Sequence, residues 1–271
     1  MTVGAGRTPY GTTYVLPRQP DPSSARIRLL CFHHAGGAAS SFVGWQRAFP
    51  ADVAVVPVQL PGREHLAVRP AHREPDALLA DLDTELGPLL ELPHAFYGHS
   101  MGGLIGYALA DHRHRRGART PELLAVGAMP PPHLEWPVAM VRDASDAELI
   151  QWMIEVGGIP ELVLRYREWL ATAAALLRAD LLLGSGLSEW AHDSSPLPCP
   201  IHVLAGSQDP LLTAEGAAAW DRYTDAGCRV HMMPGGHFFT RKHSGAVTGL
   251  LSRLLAPSSA KELSARDGQH S

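Results

Sequence analysis

Tyr97-Gly98-His99-Ser100-Met101-Gly102-Gly103 joins a short apolar run beginning at His94 to a helix-like pattern that continues through Leu104, Ile105, Ala108 and Leu109. The Gly-x-Ser-x-Gly spacing has a steric cause. A strand that turns sharply into a helix holds its serine in a strained conformation, and glycine two positions to either side lets the neighbouring backbone pass. Ser100 therefore reads as a nucleophile lifted clear of a sheet. In a chain with 26 glycines the same pattern also arises as an ordinary turn, so its surroundings decide.

Upstream, Ile27 to Phe32 is short and nearly all apolar, the pattern of a strand buried on both faces, and it runs into His33-His34-Ala35-Gly36-Gly37. Tandem glycines after a buried strand allow backbone N–H groups to approach a ligand; an anion-stabilising loop and a plain turn are equally good readings of them. Ser41 to Phe49 reads as a short helix, and Val53 to Leu60 as a strand whose Pro57 suggests an edge or a bend. Glu74-Pro75 opens a helix with Leu78, Leu79, Leu82, Leu86, Leu89 and Leu90 along one face.

Downstream, the helix after Ser100 ends in His112-Arg113-His114-Arg115-Arg116-Gly117, where positive charge complements the helix dipole and glycine suits the cap. Leu123 to Ala128 is another strand, followed by Met129-Pro130-Pro131-Pro132. From there the strand–helix alternation stops. Ser145-Asp146-Ala147-Glu148 has capping-box spacing, and helical runs are expected to Gly157, over Pro160 to Trp169, and over Ala171 to Leu183. Such an insertion, about 133–190, serves as a lid or as plain core helices. The sheet resumes at Pro200 to Ala205, before Gly206-Ser207-Gln208-Asp209. Thr213 to Tyr223 reads as a helix, Arg229 to Met233 as the last strand, and about Lys242 to Leu255 as a closing helix.

Alternating buried strands and amphipathic helices predict a mostly parallel, doubly wound α/β sheet, in which ligands gather beyond the carboxyl ends of strands. The Ala35 loop, Ser100, Asp209 and His237 all stand there. A serine hydroxyl needs a base, and an imidazole can take its proton and later protonate the leaving group if a carboxylate orients it. His237, after the last strand and behind Gly235-Gly236, is the expected base, with Asp209 the acid and Asp193 its rival. The expected oxyanion donors are the backbone N–H groups of Ala35 and Met101. His99 is expected to point away from the serine, and His33, His34, His202 and His231 to be structural.

The 271 residues suffice for one large domain, 26–256, between an extended or disordered arm, 1–25, and a loose tail, 257–271. Three scattered cysteines fit neither a disulfide framework nor a metal site. A formal net charge of -4 gives no indication of nucleic-acid binding, and neither a signal-like N-terminus nor a membrane span is read. A cytoplasmic monomer without cofactor or metal is expected.

Cys31-Phe32-His33-His34-Ala35-Gly36-Gly37, Gln59-Leu60-Pro61-Gly62-Arg63-Glu64, Gly98-His99-Ser100-Met101-Gly102-Gly103 and Gly235-Gly236-His237-Phe238-Phe239 together resemble the type II thioesterases, over roughly residues 27 to 256. These are stand-alone α/β-hydrolases that accompany polyketide and nonribosomal peptide synthases. The resemblance implies hydrolysis of stalled, wrong, intermediate or product acyl groups from the phosphopantetheine thiol of acyl or peptidyl carrier proteins. It also implies Ser100, Asp209 and His237 as the catalytic residues, Ala35 and Met101 as oxyanion donors, and a mobile lid. Phe32-His33 stands where the family usually has Phe-Pro. A general carboxylesterase on the same fold and a non-catalytic carrier-binding module remain as alternatives. Carrier docking would call for a basic surface, for which Arg113, Arg115 and Arg116, or Arg63, Arg69 and Arg73, are candidates.

Overall fold

The computed structural model describes residues 12–16, 24–134, 143–158 and 167–257. Six strands form one parallel sheet: β1 (Ile27–Phe32), β2 (Val53–Val58), β3 (His94–His99), β4 (Leu124–Gly127), β5 (Ile201–Gly206) and β6 (Cys228–Met233), in the order β2-β1-β3-β4-β5-β6. The strand order begins at the interior strand β1, builds outward to β2, then crosses β1 to lay down β3 and the rest. This is the doubly wound arrangement the alternation predicts. Pro57 lies on the edge strand, where its missing N–H interrupts no ladder.

Alternate residues of β1 go to opposite cores, because side chains along a strand alternate in direction. Leu30 and Phe32 join α1 (Pro75–Leu90), α2 (Met101–Arg115) and the helix α4 (Arg167–Ala191) on one face. Ile27, Leu29 and Cys31 join Phe42, Trp45 and α7 (Ser244–Leu254) on the other. The six leucines expected on one face of α1 are all buried. Each contributes about 1.5–3 kcal/mol relative to exposure, an upper figure because the unfolded chain already hides some apolar surface.

Several elements differ from expectation in instructive ways. Ser41 to Phe49 is two 3-10 turns, Ala39–Phe42 and Trp45–Ala48, divided at Gly44, whose φ of 87° breaks the helical path. Thr213 does cap a helix, α5 (Ala214–Ala218), but its continuation tightens into a 3-10 stretch, Ala219–Tyr223. The closing helix is preceded by a separate turn, α6 (Phe239–Lys242). In the insertion, α3 (Asp146–Glu155) begins with the expected Ser145–Glu148 capping box. The run expected to stop at Leu183 continues instead to Ala191, in a 25-residue helix. Most of the Pro160 to Trp169 run lies outside the described residues.

Leu170–Ala191 is long and apolar enough to cross a membrane by length and composition, contrary to the expectation that no stretch approaches a span. Here its apolar side packs against α2 and α3, with Leu177, Leu181, Leu183 and Leu187 in the core. Within the expected arm, Thr12, Tyr14 and Val15 are buried; Val15 bridges Val58, and the Gln59 N–H donates to the Tyr14 carbonyl at 2.7 Å. Most of the rest of the arm and nearly all of the tail lie outside the described residues.

Candidate active site

Ser100 sits between β3 and α2 with φ 53° and ψ -125°, a region that a residue with a side chain occupies only when its surroundings enforce it. The two flanking glycines show how. A Cβ on Gly98 would lie 2.0 Å from the Gly102 carbonyl oxygen, and one on Gly102 would lie 2.2 Å from that of Phe32. The elbow thus folds only with both glycines, and it presses the start of α2 against the end of β1.

Across the sheet, β5 and β6 deliver the other two groups. A Cβ on Gly206 would meet the Gly236 carbonyl at 2.6 Å, so the loops after β5 and β6 also touch backbone to backbone. This brings Asp209 and His237 together: His237 Nδ1 is 3.0 Å from Asp209 Oδ2 and 3.2 Å from Oδ1. On the far side of the ring, His237 Nε2 is 3.1 Å from Ser100 Oγ. Asp209 is anchored by the Leu211 N–H at 2.9 Å, and its side chain is fully buried. With Nδ1–H donated to the carboxylate, the Nε2 lone pair faces the serine proton. The rival Asp193 has an 89% exposed side chain beside His192 and Arg222, away from this cluster.

Ala35 lines the same small cavity as Ser100 and His237, and Met101 is the first residue of α2, directly after the serine. Gly36 and Gly37 have their N–H groups engaged elsewhere, with Asp180 Oδ2 at 2.7 Å and the His34 carbonyl at 2.9 Å.

The neighbouring histidines hold the site in shape. His99 does not face Ser100; its Nε2–H donates to the His237 carbonyl at 2.9 Å, and burial followed by the nearby His237 lowers its pKa to about 3. His33 Nδ1–H donates to the His34 carbonyl at 2.9 Å, while burial, then the Arg63 charge, lowers its pKa to about 4. His34, expected to be merely structural, forms a wall of the Ser100 cavity, edge-on to Phe238 with ring centres 4.9 Å apart.

The insertion covers the serine. Trp152, Met153, Val156 and Leu181, with Leu211 and Phe238, leave a space of about 10 Å³ at Ser100, room for about one water molecule. An acyl group enters only when some of these side chains move. A wider chamber of about 400 Å³ adjoins it, sharing His34, Ala35 and Met153 and bounded further by Phe42, Leu177 and Arg241. Arg241 ties the end of the α3 segment down, donating to the carbonyls of Gly157 at 2.9 Å and Gly158 at 2.5 Å. Its guanidinium lies 4.9 Å over the Phe238 ring.

Two of the residues proposed for carrier docking are not surface groups. Arg63 and Arg113 are buried, 6% and 2% exposed. Arg63 pairs with Asp180, and Arg113 with Asp83 and Glu91. A positively charged stretch of sequence cannot by itself distinguish a solvated arginine from one whose carboxylate partner comes from a distant helix.

Residues 27–255 match the family model described as a thioesterase domain. The chain is 33% identical over 217 residues to the gramicidin S biosynthesis protein GrsT of Aneurinibacillus migulanus, covering 80% of this chain and 84% of that one. Among solved structures it is similar to RedJ, a thioesterase from the prodiginine biosynthetic pathway of Streptomyces coelicolor. That likeness has 32% identity and a TM-score of 0.77, and covers 92% of this chain and 96% of RedJ. It is also similar to BorB, described as the type II thioesterase from the borrelidin biosynthetic cluster, at 29% identity and a TM-score of 0.77, covering 90% and 98% of the two chains.

Proposed function

The chain belongs to the thioesterase family and is a hydrolase of thioesters; from that premise we propose that it removes acyl groups from the phosphopantetheine thiol of acyl or peptidyl carrier proteins in polyketide or nonribosomal peptide biosynthesis. The observation that carries the catalytic assignment is the single imidazole, His237, placed between Ser100 Oγ at 3.1 Å and the buried Asp209 carboxylate at 3.0 Å. The substrate assignment draws on the similarity to RedJ, BorB and GrsT.

In this mechanism Ser100 Oγ attacks the thioester carbonyl carbon as His237 Nε2 takes the hydroxyl proton. The carbonyl oxygen becomes an oxyanion facing the N–H groups of Met101 and Ala35. Collapse breaks the C–S bond, and His237 returns the proton to the departing sulfur. The products are an acyl-Ser100 ester and the free carrier thiol. Water then adds to the ester with His237 as base, a second oxyanion forms in the same place, and collapse releases the carboxylic acid and restores Ser100. Asp209 holds the imidazole in the required tautomer and stabilises its protonated form. The reaction needs no cofactor, and the enzyme acts as a cytoplasmic monomer.

The test is a panel of acyl groups loaded on one carrier protein, with hydrolysis followed by intact mass for the wild type and for Ser100→Ala. Turnover retained by Ser100→Ala would refute the serine mechanism. Cleavage of simple esters with a kcat/KM far above that of every carrier-bound acyl group would refute the substrate assignment.

A further inference from the structure

Arg63 and Asp180 lie 117 residues apart and meet in a two-point ion pair, Nη1 to Oδ2 at 2.5 Å and Nη2 to Oδ1 at 2.7 Å, with side chains only 5% and 2% exposed. The local sequence aims the arginine inward. Gly62 at φ 85° and Glu64 at φ 46° bracket an extended Arg63, whose Nε–H donates to the Pro61 carbonyl at 3.3 Å. The same pair grips the glycine loop after β1 from both sides: Asp180 Oδ2 accepts the Gly36 N–H at 2.7 Å, and Arg63 Nη1 donates to the Gly37 carbonyl at 3.1 Å.

We propose that Arg63 and Asp180 are positioning residues for the oxyanion step, orienting the Ala35-Gly36-Gly37 loop so that the Ala35 N–H, and not that of Gly36, faces the reacting carbonyl. The proposal rests on the serine mechanism above. Three consecutive N–H groups stand in this loop. That of Gly37 is taken by His34 and that of Gly36 by Asp180, which leaves Ala35, the one whose residue lines the Ser100 cavity. Free glycines would let these peptide planes rotate; contacts at both the N–H and the C=O side fix them. Arg63 has a second effect. The negative charge of the buried Asp180 carboxylate would oppose a developing oxyanion, and the guanidinium cancels that charge. Buried ion pairs contribute little net stability over an apolar pair of similar volume, so geometry rather than stability explains the arrangement.

The discriminating variant is the apolar double replacement Arg63→Met/Asp180→Leu, which removes both charges together and leaves neither unpaired. Three quantities are measured: Tm, the kcat and KM for a short-acyl pantetheine thioester, and the Ki of a butyl boronic acid, whose adduct on Ser100 places an oxygen where the oxyanion forms. We expect a near wild-type Tm, KM within about twofold, kcat lower by about 10²-fold, and a boronate Ki raised by a similar factor. A folded double variant with unchanged kcat and Ki overturns the proposal, as does a fall in kcat without a rise in Ki. The exchange Arg63→Asp/Asp180→Arg rebuilds the ion pair but turns a guanidinium toward the Gly36 N–H. Near wild-type stability with kcat still low supports positioning, whereas near wild-type values of both mark the pair as structural and overturn it. Failure of the underlying mechanism shows separately, as turnover surviving in Ser100→Ala.

Discussion

Gly98 and Gly102 approach so closely across Ser100 that a methyl group on the first would sit 2.0 Å from the carbonyl oxygen of the second. Backbone, not a mobile side chain, occupies the space. Gly98→Ala and Gly102→Ala are therefore expected to lower Tm strongly and abolish turnover. Gly245→Ala, in a helix and with nothing within 4 Å of the added methyl, should raise stability by about 0.5–1 kcal/mol. Thermal denaturation of the three purified variants checks the contrast.

Asp209→Asn keeps the shape of the carboxylate but can accept the imidazole N–H through only one atom, favouring the wrong tautomer. A loss in kcat of about 10⁴-fold is expected, with the fold intact. Circular dichroism together with steady-state kinetics on an acyl-pantetheine substrate distinguishes this from unfolding.

Acid should destabilise the protein through histidines buried in their neutral form. The pKa values of His33 and His94 are lowered to about 4, and that of His99 to about 3, in each case chiefly by burial. In the unfolded chain each titrates near 6.5, so as pH falls below 6.5 the unfolded state binds protons that the folded state refuses. Stability then declines by up to about 1.4 kcal/mol per pH unit for each histidine, until the folded-state values are reached. Urea titrations between pH 7 and 4.5 check the slope, and His94→Gln should flatten it.

Charge changes should divide the arginines sharply. Arg113→Ala removes contacts to Asp83, Glu91 and the Arg119 carbonyl and should cost about 1.5–3 kcal/mol, whereas exposed Arg116→Glu should stay within about 0.5. Carrier binding followed by titration calorimetry then tests Arg115, Arg116, Arg69 and Arg73 alone, because Arg63 and Arg113 are inside.

Arg241 holds the lid segment through the carbonyls of Gly157 and Gly158. Arg241→Met should loosen that end and admit larger groups to Ser100. The expected readout is faster labelling by a bulky fluorophosphonate, with labelling by a small one little changed.

The parallel sheet was legible because strands buried on both faces read as unbroken apolar runs, and the elbow because its two glycines answer to backbone contacts within a few residues. The meeting of Ser100, Asp209 and His237 could be anticipated from their place after the carboxyl ends of β3, β5 and β6. What sequence could not reveal was pairing at long range. Arg63 read as a surface charge, and its partner Asp180 is a lone carboxylate following Arg178-Ala179 and preceding Leu181-Leu182-Leu183, with no local feature to mark its partner. The long helix α4 runs past Leu183, where the apolar run ends, straight through Gly184-Ser185-Gly186. In the fold Gly186 admits Pro75, 3.1 Å from where its Cβ would stand.

The strip from Thr12 to Val15, laid along the outer side of β2, has a bearing on how the protein can be handled and fused. Tyr14 is fully buried, donates to Asp81, and closes the only flank of β2 that lacks a sheet neighbour. Trimming the chain to the start of the matched domain at residue 27 would strip that cover and leave an adhesive β-edge, prone to self-association. Affinity tags and partner domains are better joined ahead of this strip than in place of it.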